Sequence, residues 1–144
     1  MDLMENTEVL LSKQDYESLA AFRAAIRRFS RFSEEGARGV GITPQQHQAM
    51  LAIMGQPGRQ WASIAEIAEF LQLKHHTTVG LVDRCVAAGL VERNPDPDDR
   101  RQVRVTLTEK GQGLLRHLST RNLRELKSLR KFMKLTVIDR RTEL

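Results

Sequence analysis

The sequence predicts a mainly α fold with one small β-hairpin, an α+β arrangement in which two long helices flank a compact middle segment. Three observations lead there. Residues 12–35 and 108–135 each carry an apolar stripe at helical spacing over many turns. Between them, residues 63–89 hold two shorter helical stretches separated by a few residues. Residues 90–107 then offer two β-prone runs joined by a polar loop of Pro, Asp and Arg. With 144 residues, 40% hydrophobic and 28% charged, residues 1–144 suit a single domain with a modest core.

Residues 1–11 mix acidic and apolar side chains without periodicity and read as a loosely ordered arm. In 12–35, Leu19, Phe22, Ile26 and Phe29 recur at intervals of three, four and three, which lines them up along one helix face. Arg23, Arg27, Arg28 and Arg31 take other faces, either as a solvated basic surface or as contacts to an anion. Gly36, Gly39 and Gly41 loosen the chain into a loop. A helix restarts at Thr43-Pro44-Gln45-Gln46, which combines an N-cap, a first-turn proline and a capping-box glutamine. It runs through Met50, Leu51 and Met54 to about Gly55, before a Gln56-Pro57-Gly58 turn. Trp61 falls in a short strand that can pair with the hairpin, its ring packed in the core and not stacked on bases.

Ser63 and Glu66 form the next capping box and start a helix over 63–71. A further helix covers 75–88 and stops at Gly89, a residue that adopts the left-handed conformation at low cost. Leu81, Val82, Cys85 and Val86 form its apolar face. The β-prone runs are 90–93 and 103–107. Thr108-Glu109-Lys110 then opens the last long helix, with Leu115, Leu118, Leu126, Leu129 and Met133 on a stripe that Asn122 interrupts.

Two short helices joined by a tight turn and followed by a hairpin describe a winged helix-turn-helix over 43–107. In that architecture the second helix presents its N-terminal side chains to base edges of double-stranded DNA. Lys74, His75, His76, Thr77 and Thr78 crowd that first turn, where the positive helix end and free N–H groups favour phosphate. Arg84, two turns on, is placed to reach backbone phosphate. The net charge of +5 and pI of about 9.9 suit a polyanion. The excess lies elsewhere, however. Residues 111–144 hold nine Lys/Arg against three Asp/Glu, whereas 41–110 balance at eight against eight. The motif, not the charge, carries the DNA reading.

The stretch DPDDRRQVRVTLTEKG, preceded by LVDRCVAAGLVERN, resembles the MarR family of bacterial transcriptional regulators, with the D-x-R-R of the wing matched by Asp98, Arg100 and Arg101. The likeness covers about residues 12–133 and is most specific over 78–111. It implies a homodimer joined through the helices of 12–35 and 108–135, acting as a ligand-responsive repressor on an inverted-repeat operator. Arg100 would enter a minor groove with Asp98 orienting it, while Arg101 would meet phosphate or form a structural pair. At Gly80, family members often carry a longer side chain. The family also implies a pocket for phenolic or other aromatic anions where the dimerisation helices meet the reading segment, with Arg28, Phe32, Met50 and Met54 as lining residues. Members usually have a further C-terminal helix. Only about ten residues follow here from Leu135, which implies either a trimmed dimer interface or an incomplete sequence.

Other chemistries find little support. His75 and His76 are adjacent, so on a helix they diverge by about 100° and cannot easily share an ion, while His47 and His117 stand apart; no metal or cofactor is expected. Some members of the family sense peroxide through one thiol near the N-terminus, but Cys85 sits on an apolar helix face and reads as packing. No P-loop, GxSxG or dinucleotide-binding turn occurs, so no enzyme is expected. One cysteine, no signal-peptide pattern and no span of about 20 apolar residues predict a cytoplasmic protein without a membrane partner. The alternative is a winged-helix module that binds protein and not DNA. A basic wing tip argues against it.

Overall fold

The computed structural model describes residues 10–137, with side chains described through residue 130. Five helices and three strands follow in the order α1 (Lys13–Gly39), α2 (Pro44–Met54), β1 (Trp61–Ala62), α3 (Ile64–Leu71), α4 (His75–Ala87), β2 (Val91–Pro95), β3 (Val103–Leu107) and α5 (Glu109–Val137). The expected fold class is therefore the observed one. The expected arm at 1–11 and the last residues of the chain lie almost wholly outside the described part, as does the side chain of Met133.

The chain divides into two compact units. The first holds the described parts of 1–31 and 123–144, the outer lengths of α1 and α5. Phe22, Ala25, Ile26 and Phe29 of α1 and Leu126 and Leu129 of α5 enclose an apolar cleft of about 100 Å³. Ala25 and Leu129 are buried, yet Leu19, Phe22, Ile26, Leu123 and Leu126 stay exposed. The stripe read from the sequence thus has a covered edge and an open one.

The second unit spans 32–122 and contains everything from α2 to β3. Two of its helices, α2 and α3, are started by local chemistry. The Thr43 backbone N–H donates to Gln46 Oε1 (2.9 Å) and the Gln46 N–H donates to Thr43 Oγ1 (3.1 Å), so two orphan donors are satisfied reciprocally. Ser63 and Glu66 repeat the arrangement at 3.0 and 3.1 Å. The three strands form one antiparallel sheet in the order β1-β3-β2, with Trp61 opposite Thr106 and Val91 opposite Leu107. Met50, Ile53, Ile67, Leu81, Leu90 and Leu118 are fully enclosed. Each contributes about 1.5–3 kcal/mol of transfer free energy. Leu51 of α2 faces outward.

One expected boundary is wrong. The helix does not end at Gly36; α1 continues to Gly39, and the chain turns at Gly41 with φ +83°. A Cβ at Gly36 would lie 1.9 Å from Arg121 Nη1 on α5. Here the glycine permits close packing and not a loop. Nearby, Ser33, His47 and Asn122 form a polar cluster: Asn122 Nδ2 donates to Ser33 Oγ (3.3 Å), which lies 3.5 Å from His47 Nδ1. Burial lowers the His47 pKa and so favours the neutral ring. The interruption of the apolar stripe by Asn122 was the sequence trace of this cluster.

Candidate nucleic-acid interface

The turn before α4 is made by Gln72, held left-handed at φ 56°, which lets Leu73 N–H reach back to Ala68 C=O at 2.9 Å. Lys74 then occupies the N-cap of α4 without a side-chain cap, leaving the first-turn N–H groups unclaimed by that side chain. Leu81, Val82 and Cys85 face the core, and Lys74, His75, His76, Thr77 and Arg84 are exposed. Thr78 corrects the sequence reading. It is fully buried, and its hydroxyl donates to Lys74 C=O at 2.9 Å. Thr78 stands three and four residues before Leu81 and Val82, on the inner face, so it cannot touch a base. Cys85 is also fully buried, and that burial pushes its thiol up to about 11 against the opposing charge of Arg84. It stays a packed thiol.

The wing is organised by a residue the sequence reading left in the background. Asp96 follows β2 and is almost wholly buried. Its Oδ1 accepts the N–H groups of Asp98 (2.8 Å) and Asp99 (3.1 Å), and its Oδ2 accepts Arg104 Nε (3.3 Å). The Asp98 backbone N–H foremost, with Asp99 and Arg104, holds the Asp96 carboxyl below its ordinary range in spite of burial. The signal was present in Asp96-Pro97-Asp98, since Asp readily bonds the backbone two residues on.

Asp98 departs from expectation as well. Its carboxylate meets Arg104 Nη2 at 3.8 Å and does not pair with Arg100. Backbone geometry explains this: the Asp98 N–H is drawn down onto Asp96, and the acid turns toward β3. Arg101 lies 3.8 Å from Asp99 with its side chain 95% exposed, a weak pair of the structural kind. Arg100 is exposed and has no carboxylate partner among the described residues.

Arg104 also ties the wing to the helices. Its guanidinium carbon lies 3.9 Å from the Trp61 ring centroid, and that of Arg59 lies 4.0 Å from the same ring. Arg59 forms an ion pair with Glu66, the capping residue of α3. Burial would raise the Glu66 pKa, but the Ser63 backbone N–H, Arg59 and the Ser63 hydroxyl together lower it. Wing, Trp61 and the start of α3 are therefore one connected structure, and Trp61 is half-buried in it. Asp83 of α4 is likewise paired, with Arg93 of β2.

The expected pocket residues are scattered by environment. Met50 is fully enclosed in the core, which makes it packing; Met54 is half-buried against the same core. Phe32 is half-buried, with the Arg121 guanidinium 4.1 Å from its ring centroid, and Arg28 is exposed on the helical unit. Among the described residues no group of three or more His, Cys, Asp or Glu could hold a metal, and no helix is long and apolar enough to cross a membrane.

This fold, with a half-exposed helix and a charged wing beside it, defines a winged-helix DNA-binding protein. Residues 40–102 match the model of the MarR family, and the chain is similar to transcriptional regulators. It is 26% identical over 129 residues to the uncharacterized HTH-type transcriptional regulator YsmB of Bacillus subtilis, covering 83% of this chain and 82% of that one. It is 34% identical over 94 residues to the HTH-type transcriptional repressor NicR of Pseudomonas putida, covering 65% of this chain and 57% of that one. A MarR family protein from Bacillus stearothermophilus superposes with a TM-score of 0.72 at 24% identity, covering 84% of this chain and 82% of the other.

Proposed function

We propose that the protein is a homodimeric, ligand-responsive repressor that reads an inverted-repeat operator, with α4 in the major groove and Arg100 in the adjacent minor groove. The observation that carries this reading is the sorting of charge on the second unit. Its acids and bases balance in number over 41–110. Yet Glu66, Asp83, Asp96, Asp98 and Asp99, the acids of α4 and the wing among them, face arginines of the fold, and of the acids in 41–110 only Glu69, Glu92 and Glu109 are left without an ion pair among the described residues. Lys74, Arg84 and Arg100, by contrast, have no carboxylate partner among the described residues. A balanced sequence thus presents a positive reading edge to a polyanion. The exposed apolar residues of the first unit support the dimer, because a monomer would leave that face in water. Repression is supported by the likeness to NicR, named as a repressor. The effector is the family's expectation, a small aromatic or anionic molecule.

Selection of bound duplexes from a random pool tests the proposal. It should return an inverted repeat, bound as one dimer with an affinity that falls steeply with salt. Recovery of unrelated duplexes, or retention independent of salt, would overturn it. For the effector, a panel of aromatic acids should include one that shifts the melting temperature and the DNA affinity together. A panel that moves neither removes the ligand response.

A further inference from the structure

Gly80 lies in the middle of α4, where glycine costs about 1 kcal/mol relative to alanine. The fold supplies no reason for so small a residue. A Cβ built at Gly80 meets a single neighbour within 4 Å, Arg84 Nη1 at 3.6 Å, which is ordinary van der Waals contact. No backbone and no core side chain stands in the way. The neighbour itself is informative. Side chains on a helix lean toward its N-terminus, so a residue covers the surface one turn before its own Cα. Arg84 stands four residues after Gly80, and its guanidinium lies back over the glycine. Thr77 is three residues before Gly80 on the same outward side, while Thr78, Leu81, Val82 and Cys85 hold the other side in the core. The adjacent acid does not draw the arginine away, because Asp83 is paired with Arg93.

We propose that Gly80 is a seat for Arg84, a positioning residue that lets the guanidinium lie across the middle of the reading face and bind the O6/N7 edge of one guanine in each half-site. This deepens the operator reading and rests on α4 entering a major groove. Arg84 extended sideways would reach phosphate and carry no sequence information. Folded along the axis, its planar fork faces the groove floor, where bidentate pairing with guanine is the commonest specific contact. The seat requires a small residue and not glycine as such. Alanine fits at 3.6 Å, whereas a long side chain would take the place of the guanidinium.

The test uses the full chain and the operator obtained by random-pool selection. Each guanine is replaced in turn by 7-deazaguanine, which lacks N7, and affinity is titrated at fixed salt. In the wild type one guanine per half-site should respond, with a loss of about 5- to 100-fold. Gly80→Ala should keep that pattern and melt higher than the wild type. Gly80→Leu and Arg84→Ala should both bind the unmodified operator more weakly and no longer respond at that guanine. Gly80→Leu should melt no lower than the wild type, since leucine is the better helix former; if it melts lower, Gly80→Gln takes its place. The seat is overturned if no guanine responds in the wild type, or if Gly80→Leu keeps the wild-type pattern. It is equally overturned if Gly80→Ala alone erases the pattern, since the glycine then serves direct approach of the backbone to DNA. A wild type that selects no sequence at all brings down the operator reading first and this inference with it.

Discussion

The two units of this chain use apolar residues in opposite ways. In 32–122 most of the large aliphatic side chains are enclosed: Ile53, Ile67, Leu90 and Leu118 expose essentially nothing, while Leu51, Val86 and Val103 stay partly open. In the helical unit, side chains of the same kind remain open, with Leu19 60%, Leu123 56% and Leu126 40% exposed. Both stripes obey the same helical periodicity. The difference teaches that periodicity states which residues share a face but not what covers the face. The second unit has its own core and, on the proposed reading, uses surface charge for function. The helical unit leaves an apolar face open, the face that the proposed dimer would cover.

Core truncation should separate the two most strongly. Leu118→Ala in the enclosed unit should lose about 2–5 kcal/mol in denaturant unfolding, the transfer term plus the cavity left behind. A loss below about 1 kcal/mol would mean that this core is not the close-packed one described. Leu126→Glu inverts the experiment. It should convert a micromolar dimer to monomers in light scattering, a weakening of at least about 2 kcal/mol in association, while the far-UV spectrum is kept. A wild type that is already monomeric at that concentration ends the idea that the open face is reserved for a partner.

The reading edge should respond to charge and not to packing. Arg100→Ala should weaken operator binding by about 1–3 kcal/mol and flatten the salt dependence, with melting temperature unchanged. The acids beside it should behave unequally. Asp96→Ala releases two backbone N–H groups and Arg104, so it should weaken binding by loosening the wing. Asp98→Ala removes only an exposed pair to Arg104 and should change little. Equal effects of the two would refute the assignment of Asp96 as the anchor.

The smallest effect concerns pH. Burial lowers the His47 pKa, so the folded state binds a proton less readily than the unfolded chain, whose histidine titrates near 6.5. The contribution is complete above 6.5 and is lost as pH falls through that value toward the lowered one. Its slope is at most about 1.4 kcal/mol per pH unit. Asp96 and Glu66 are also lowered, but their contribution persists down to the ordinary carboxylate values of 3.8 and 4.5 and disappears only as pH falls through the folded ones. Between pH 7 and about 5, His47→Gln should therefore flatten the stability profile, as read from the fluorescence of Trp61, the only tryptophan. An unchanged slope would show that His47 is not the group responsible.

The sequence by itself determined what short-range chemistry decides. Thr43 with Gln46 and Ser63 with Glu66 satisfy their helix ends within three residues, so both starts could be read directly. Gly89 and the polar loop after Pro95 similarly marked the end of α4 and the tip of the hairpin. The succession of two short helices and a hairpin followed from the order of these signals along the chain. Tertiary structure decided the partners. Arg104 lies eight residues from Asp96 and far in sequence from Trp61, yet it meets both. Gly36 lies inside a helix, where Arg121 of a distant helix closes over it. Thr78 turned inward with the core, and Asp98 took Arg104 in place of Arg100. A local pattern fixes where a side chain sits along its element. Which distant group it meets depends on how the elements pack, and that is a property of the whole folded unit.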